Sequence, residues 1–447
     1  MNAAAPLSTW DMRIPVRQLL TTLLYYHLCL AAMQWLIAPY FGSLYALASG
    51  ILVRYVLALP MVLILVALLP RFRRPSDFTV TLMALTTIIP ALAFYVMHGG
   101  DYLYILIVFA GFLVYDLTRR FPVRLGSSIK LGMRSVIFIS FVFVALVTLM
   151  MLQEFRINSI SALLFDLYSV RADVTENMSS SLLIYMQSWT HSVIMPFLII
   201  YFFAQRRWFM VLALAGLTLL FFLVLTGKGI LFDPLITLLV FLTLRRRTEF
   251  SGLFLAISAV IVLAWLEIVL FDSFSLSSLL VRRTLFVPVM LNYNYYEIFS
   301  ELGHVYYSHS VFSFLSDYPF QIPYQTIVGV SLFGTEAAHA NTGIFGTGFM
   351  HFGYVGIPAF CAVMGLAAAY VDNCRISRTD PAFAAAIVAV PSYTIFTSAD
   401  LFSGMLTNGY LIALLYCTVS GQVGIGTAQT AARSGPGSDP VRRASYS

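Results

Sequence analysis

Lys and Arg follow every second apolar run of this 447-residue chain and are scarce after the others. A chain has reason to sort its charges this way only if it crosses a membrane repeatedly, because cytoplasmic connections keep an excess of Lys and Arg. Twelve runs qualify as spans: 19–38, 52–69, 79–97, 103–117, 135–152, 181–203, 209–225, 230–244, 253–271, 346–370, 382–397 and 406–421. Most can cross about 30 Å of hydrocarbon at about 1.5 Å per residue. Runs 103–117 and 230–244 are short for a full crossing. A content of 60% hydrophobic and 10% charged residues excludes a soluble globular domain. The net charge of +6 is then a topology signal and not a nucleic-acid footprint. Its basic residues stand in short clusters beside spans, where they meet anionic headgroups. The expected fold is all-α and polytopic, with about 12 transmembrane helices in a single domain over 1–424. Two loops, about 153–180 and 272–345, are long enough to carry structure of their own, and the second is partly helical. The Ser-, Gly-, Ala- and Arg-rich tail 425–447 is expected to be disordered and cytoplasmic.

With both termini inside, the cytoplasmic connections carry Arg71, Arg73 and Arg74, then Arg119, Arg120, Arg124, Lys130 and Arg134. Arg206, Arg207, Arg245, Arg246, Arg247, Arg375 and Arg378 follow. Adding Arg13, Arg17, Arg433, Arg442 and Arg443 places 20 of the 26 basic residues on that side. Arg54 lies within a span. Only Arg156, Arg171, Lys228, Arg282 and Arg283 fall on the other side, where insertion does not require them. Arg13 and Arg17 precede a run that is the first of many, so it reads as a retained span and not a cleaved signal. Cys29, Cys361, Cys374 and Cys417 form no close pair and avoid the outward loops. Neither a disulfide framework nor a zinc site is expected.

The chemistry-bearing residues gather in the outward segments. In the second loop, Arg282 and Arg283 are followed by Tyr293, Tyr295, Tyr296 and Phe299, then by His304, Tyr306, Tyr307 and His309. Ser275 or Ser277 could cap a helix there, bent by Pro288. On one continuous helix, Arg283 and Glu297, fourteen apart, would share a face. Guanidinium forks grip phosphate oxygens, and aromatic faces pack on sugar rings, so this composition suits a phosphorylated, sugar-bearing ligand. The same aromatics also fit a belt at the membrane interface, with Arg snorkelling to headgroups. Arg171 stands in DLYSVRADV, where Asp166, Asp173 and Glu176 offer local ion pairs. Lys228 stands in TGKGILFDPL between flexible glycines. It fits an anion contact or a structural pair with Asp233. In AHANTGIFGTGFMHFGYVGI, Asn341 and Thr342 lie at the outward mouth of a span, and Gly348, Gly353 and Gly356 suit close helix packing. His191, His339 and His351 read as structural histidines.

In order along the chain, DLYSVRADV, SWTHSVIMPFLIIYFFAQRRW, LTGKGILFDPLITLLVF, RRTLFVPVMLNYNYYEIFS, YSHSVFSF and ANTGIFGTGFMHFGYVGI resemble the Wzy-type O-antigen polymerases of bacterial inner membranes. The resemblance covers most of the membrane domain. It implies a GT-C-like, metal-independent glycosyltransferase without cofactors. Such an enzyme joins undecaprenyl-diphosphate-linked oligosaccharide units on the periplasmic face, beside membrane lipids and a chain-length regulator. By position, Arg283, Arg171 and Lys228 carry over as the phosphate-handling catalytic residues, with His304 as base. Arg282, Tyr296, His309 and Asn341 carry over as substrate contacts. No single outward carboxylate is singled out as base, although Glu297 and Glu301 are available. An O-antigen ligase shares the architecture and the donor. A flippase would instead line several spans with charge and carry internal repeats, and neither feature is present here. A structural subunit of a polysaccharide-assembly complex would need fewer aromatic and Arg-rich outward loops.

Overall fold

The computed structural model describes residues 16–123, 131–155, 181–246, 248–309, 313–314, 317–336 and 338–420. Arg156, Arg171 and the tail lie outside the described residues. Among the described residues the chain is all-helical, without a strand. Eight helices are long and apolar enough to cross a membrane: Val16–Ile37, Ile51–Leu68, Pro75–His98, Met133–Glu154, Leu182–Ala204, Trp208–Leu225, Ser251–Phe271 and Ile344–Asn373. The four other expected spans are also helices. Tyr102–Thr118, Pro381–Thr397 and Tyr410–Val419 are shorter, and Lys228–Arg246 carries charge at both ends.

Burial separates a centre from a rim. Pro75–His98 is 94% buried, whereas Met133–Glu154, Trp208–Leu225 and Ser251–Phe271 are 28%, 28% and 22% buried. A helix that is apolar all round and mostly uncovered has only lipid to face.

The bundle has two unlike ends. At the arginine-rich end, Arg119 is 2% exposed and bonds Asp77 Oδ1 at 2.9 Å and Asp116 Oδ1 at 2.7 Å. Arg120 pairs with the other oxygen of Asp116. Ser76 donates its N–H and hydroxyl to Asp372 at 2.9 and 2.6 Å. These bonds tie Pro75–His98, Tyr102–Thr118 and Ile344–Asn373 together. At the opposite, arginine-poor end, Arg54 donates to the carbonyls of Val96, Ser49 and Ala48. Its role is to satisfy helix-terminal acceptors.

The stretch Ile344–Asn373 is two helices in one. Phe352 and Gly353 leave helical geometry, Gly353 with φ +61° and ψ −148°. The chain reverses there. In a straight helix Gly348 and Gly356 would stand about 12 Å apart. Here a Cβ on Gly356 would lie 1.9 Å from the Gly348 carbonyl oxygen. The expected packing role of these glycines therefore holds within a single hairpin. The arm 344–351 folds back on 354–373, and the latter arm is the one of spanning length.

Among the described residues four π-helical stretches interrupt the bundle, at Met33–Ile37, Ala84–Ile88, Thr190–Ile194 and Ser277–Phe286. The last three end two residues before Pro90, Pro196 and Pro288. A proline offers no N–H to the carbonyl four residues back and crowds it, and a wider i→i+5 turn relieves the clash. The expected single face shared by Arg283 and Glu297 is lost, because Arg283 sits in such a turn. The expected serine cap is also replaced. Glu267 accepts from the Leu276 N–H at 2.7 Å, and Ser277 donates to the Leu36 carbonyl at 3.2 Å.

Candidate functional site

Helix Val287–Leu302 ends at Gly303, with φ +86°. The following loop lies over the tip of the reversed hairpin. Val305 N–H donates to the Met350 carbonyl at 3.0 Å, and Tyr307 N–H donates to His351 Nδ1 at 3.1 Å. Tyr306 and Tyr307 both take left-handed backbone, with φ +51° and +58°, a strain that these bonds hold in place. The Tyr307 hydroxyl donates to Asp400 Oδ1 at 2.8 Å, and its ring stacks on His351 with centroids 3.7 Å apart. His351 is fully buried, and its Nε2 stands 3.5 Å from the same carboxylate oxygen. Because Nδ1 accepts a backbone N–H, the neutral ring carries its proton on Nε2, towards Asp400. Burial, with Asp400 beside it, pushes the Tyr307 hydroxyl well above the ordinary tyrosine range. It therefore stays a donor.

His309 lies nearly parallel to His351, with centroids 5.6 Å apart, and its Nδ1 is buried without a hydrogen-bond partner among the described residues. Burial lowers its pKa from 6.5 to about 4; His351 adds to the shift and Asp400 opposes it. Between those values the unfolded chain takes up a proton that the folded chain refuses, so stability falls as pH drops through the window. The denaturation midpoint of detergent-solubilised protein is expected to fall between about pH 6.5 and 4. His309→Gln is expected to flatten that fall. An identical pH dependence in the variant would assign the effect to other groups.

Tyr296 and His304 both meet Phe349 edge-on, with centroids 4.8 and 5.5 Å away. The Tyr296 hydroxyl donates to Asp101 and stands 3.2 Å from that of Tyr354, while its ring stacks on Tyr104 at 4.5 Å. Asp101 also accepts from the Leu103 N–H at 2.8 Å. A cavity of about 20 Å³ lies beside it, lined by Thr87, Asp101, Tyr104, Asn292 and Tyr293 among others. That is room for a single water. His304 Nδ1 is buried without a hydrogen-bond partner among the described residues, and its Nε2 faces Gly353 so closely that a Cβ there would lie 2.9 Å away.

The cations differ in their surroundings. Arg282 sits over the Phe41 ring at 4.3 Å and reaches Ser278 Oγ at 3.4 Å. Arg283 and Lys228 are exposed, and neither is paired with a carboxylate among the described residues. The expected Lys228–Asp233 pair is not formed, since Asp233 holds His191 Nδ1 at 2.9 Å. Asn341 is exposed, whereas its neighbour Thr342 is buried and donates to Asn292 Oδ1 at 2.9 Å. The same oxygen accepts from the Gly346 N–H at 2.7 Å and so caps the short arm of the hairpin.

Of the expected residues, the structure brings Tyr296, His304 and His309 together around the hairpin tip. Arg282 and Arg283 approach from the π-helical stretch that feeds helix Val287–Leu302. Lys228 belongs to another group of helices, packed on Leu182–Ala204, Trp208–Leu225 and Pro381–Thr397. Arg171 lies outside the described residues. Asp101, Tyr354 and Asp400 were not singled out from the sequence. Each is one polar residue at the end of an apolar run, and it meets its partner only through long-range packing. No family model, curated protein or solved structure matches the chain.

Proposed function

We propose that the chain is a polymerase that joins undecaprenyl-diphosphate-linked oligosaccharide units, acting at the periplasmic face of a bacterial inner membrane. The observation that carries this reading is that two cations, Arg283 and Lys228, stand exposed at the arginine-poor end of the bundle. Neither is neutralised by a carboxylate among the described residues. Cations kept on the side where insertion disfavours them suit a diphosphate ligand. In the reaction, an acceptor hydroxyl attacks the anomeric carbon of the donor glycan. The carbon–oxygen bond to the diphosphate breaks, and its electron pair leaves as negative charge that Arg and Lys stabilise. Twelve crossings, a GT-C-like architecture and cytoplasmic termini belong to the same reading.

Deleting the chain is expected to leave a surface glycan of one repeat unit, because export and ligation continue. Complete loss of surface units, with lipid-linked units accumulating inside, would point to a flippase. The orientation has its own check. The four native cysteines are buried and give a quiet background. Asn341→Cys is expected to react with an impermeant thiol reagent in intact spheroplasts, and Thr248→Cys only after lysis. The reverse pattern would overturn the orientation.

A further inference from the structure

The proposed reaction needs a group to accept the proton of the attacking hydroxyl, and among the described residues the hairpin tip holds no histidine that combines a carboxylate partner with a free ring nitrogen. His351 is fully buried with both ring nitrogens turned to Tyr307 and Asp400. His304 and His309 have no carboxylate within pairing distance among the described residues. A different histidine has the right surroundings. His191 Nδ1 meets Asp233 Oδ2 at 2.9 Å, and the ring is 22% exposed. A carboxylate accepts only from a protonated nitrogen, so in the neutral ring Nδ1 carries the proton and Nε2 the lone pair. Nε2 makes no hydrogen bond among the described residues.

Three features place this pair where a substrate arrives. Trp189 Nε1–H donates to the Leu406 carbonyl at 2.7 Å, and the Ser192 hydroxyl to the Asn408 carbonyl at 3.3 Å. They fix His191 at the level of the 406–409 turn, within the span Leu182–Ala204 and nearer its arginine-poor end. Lys228 opens the helix that carries Asp233, five residues earlier and so about 7.5 Å nearer that end. His191 itself lies in the π-helical stretch Thr190–Ile194, a kind of irregularity concentrated at functional sites. A His–Asp pair only 22% and 15% exposed, joining two helices of the bundle, is costly to hold without a function.

Resting on the reading of the chain as a lipid-linked glycan polymerase, we infer that His191, held by Asp233, is the catalytic base of the transfer. The acceptor O–H gives its proton to His191 Nε2 as the oxygen bonds to the anomeric carbon. The bond to the diphosphate breaks, and its electrons leave on the phosphate oxygen facing Lys228. Asp233 is a positioning residue: it fixes the tautomer and balances the imidazolium that forms.

The test uses a strain lacking the chain, complemented with full-length variants at matched protein levels. Purified variants are then assayed on lipid-linked units extracted from that strain. His191→Gln is expected to give a surface glycan of one unit and a kcat lower by roughly a hundredfold to ten-thousandfold. Asp233→Asn is expected to lower kcat by roughly a hundredfold or more, with KM within about twofold, because its amide can force the wrong tautomer. His27→Gln is expected to leave glycan length unchanged. An unchanged glycan in the deletion strain would remove the polymerase reading, and this base with it. One-unit glycan in the deletion strain but full-length chains from His191→Gln would remove the base alone. A raised KM with intact kcat in either variant would also remove it. Should His191→Gln fail to accumulate, the Asp233→Asn kcat decides in the same way.

Discussion

Arg283→Ala is expected to lower polymer formation roughly a hundredfold to a thousandfold, or about 3–4 kcal/mol of transition-state stabilisation. The residue is exposed on a π-helical turn and has no acidic partner among the described residues, so its guanidinium is free for an incoming anion. Two parallel charge-assisted bonds to phosphate oxygens are what a fork provides and an ammonium does not. Arg283→Lys is therefore expected to keep only part of the activity. A residue that merely snorkels to lipid headgroups behaves differently, with Lys substituting fully and Ala costing little. Polymer length and rate from purified variants on a lipid-linked repeat unit separate the two. Near-normal chains from Arg283→Ala would take the residue out of the mechanism.

The second large effect is on stability. Arg119→Ala is expected to destabilise the protein by about 3–5 kcal/mol, because it leaves the carboxylates of Asp77 and Asp116 buried without their shared cation. Arg120 still pairs with Asp116, so Asp77 loses more. Unfolding in mild detergent, followed by helical signal against denaturant, measures the loss. Replacing Arg119 by Met together with both Asp by Asn is expected to recover much of it, since no charge is then buried. A wild-type midpoint for Arg119→Ala alone would show that water reaches the cluster.

The helices were legible because length and hydropathy are local properties. Each of the twelve expected runs contains a helix, and eight helices meet the length and polarity of a crossing. The reversal at Gly353 was not legible. A glycine in an apolar run looks the same whether it packs against a neighbouring helix or turns the chain back on itself. Only the contact between Gly348 and Gly356 distinguishes them. The site shows the same division. Tyr296, His304 and His309 stand close in sequence and meet in space. Asp400, Asp101 and Asp233 were passed over or given the wrong partner, since their histidine and tyrosine mates lie 42 or more residues away. Charge asymmetry marks which end to examine. It does not reveal which carboxylate meets which ring.

A π-helical turn amounts to one residue inserted into an α-helix, and an inserted residue turns everything beyond it by about 100°. In Pro75–His98, the half before Ala84–Ile88 sets Ser76 towards Asp372 and Asp77 towards Arg119, and the half after it closes the cavity beside Asp101. The two halves of that rod thus keep separate angular phases. The turn works as a coupling between shafts, so one end of the molecule can be re-aimed by a single insertion or deletion while the other keeps its bearing. Sequence change could in this way swing the ligand-facing surface round while the arginine-locked foundation stays in register.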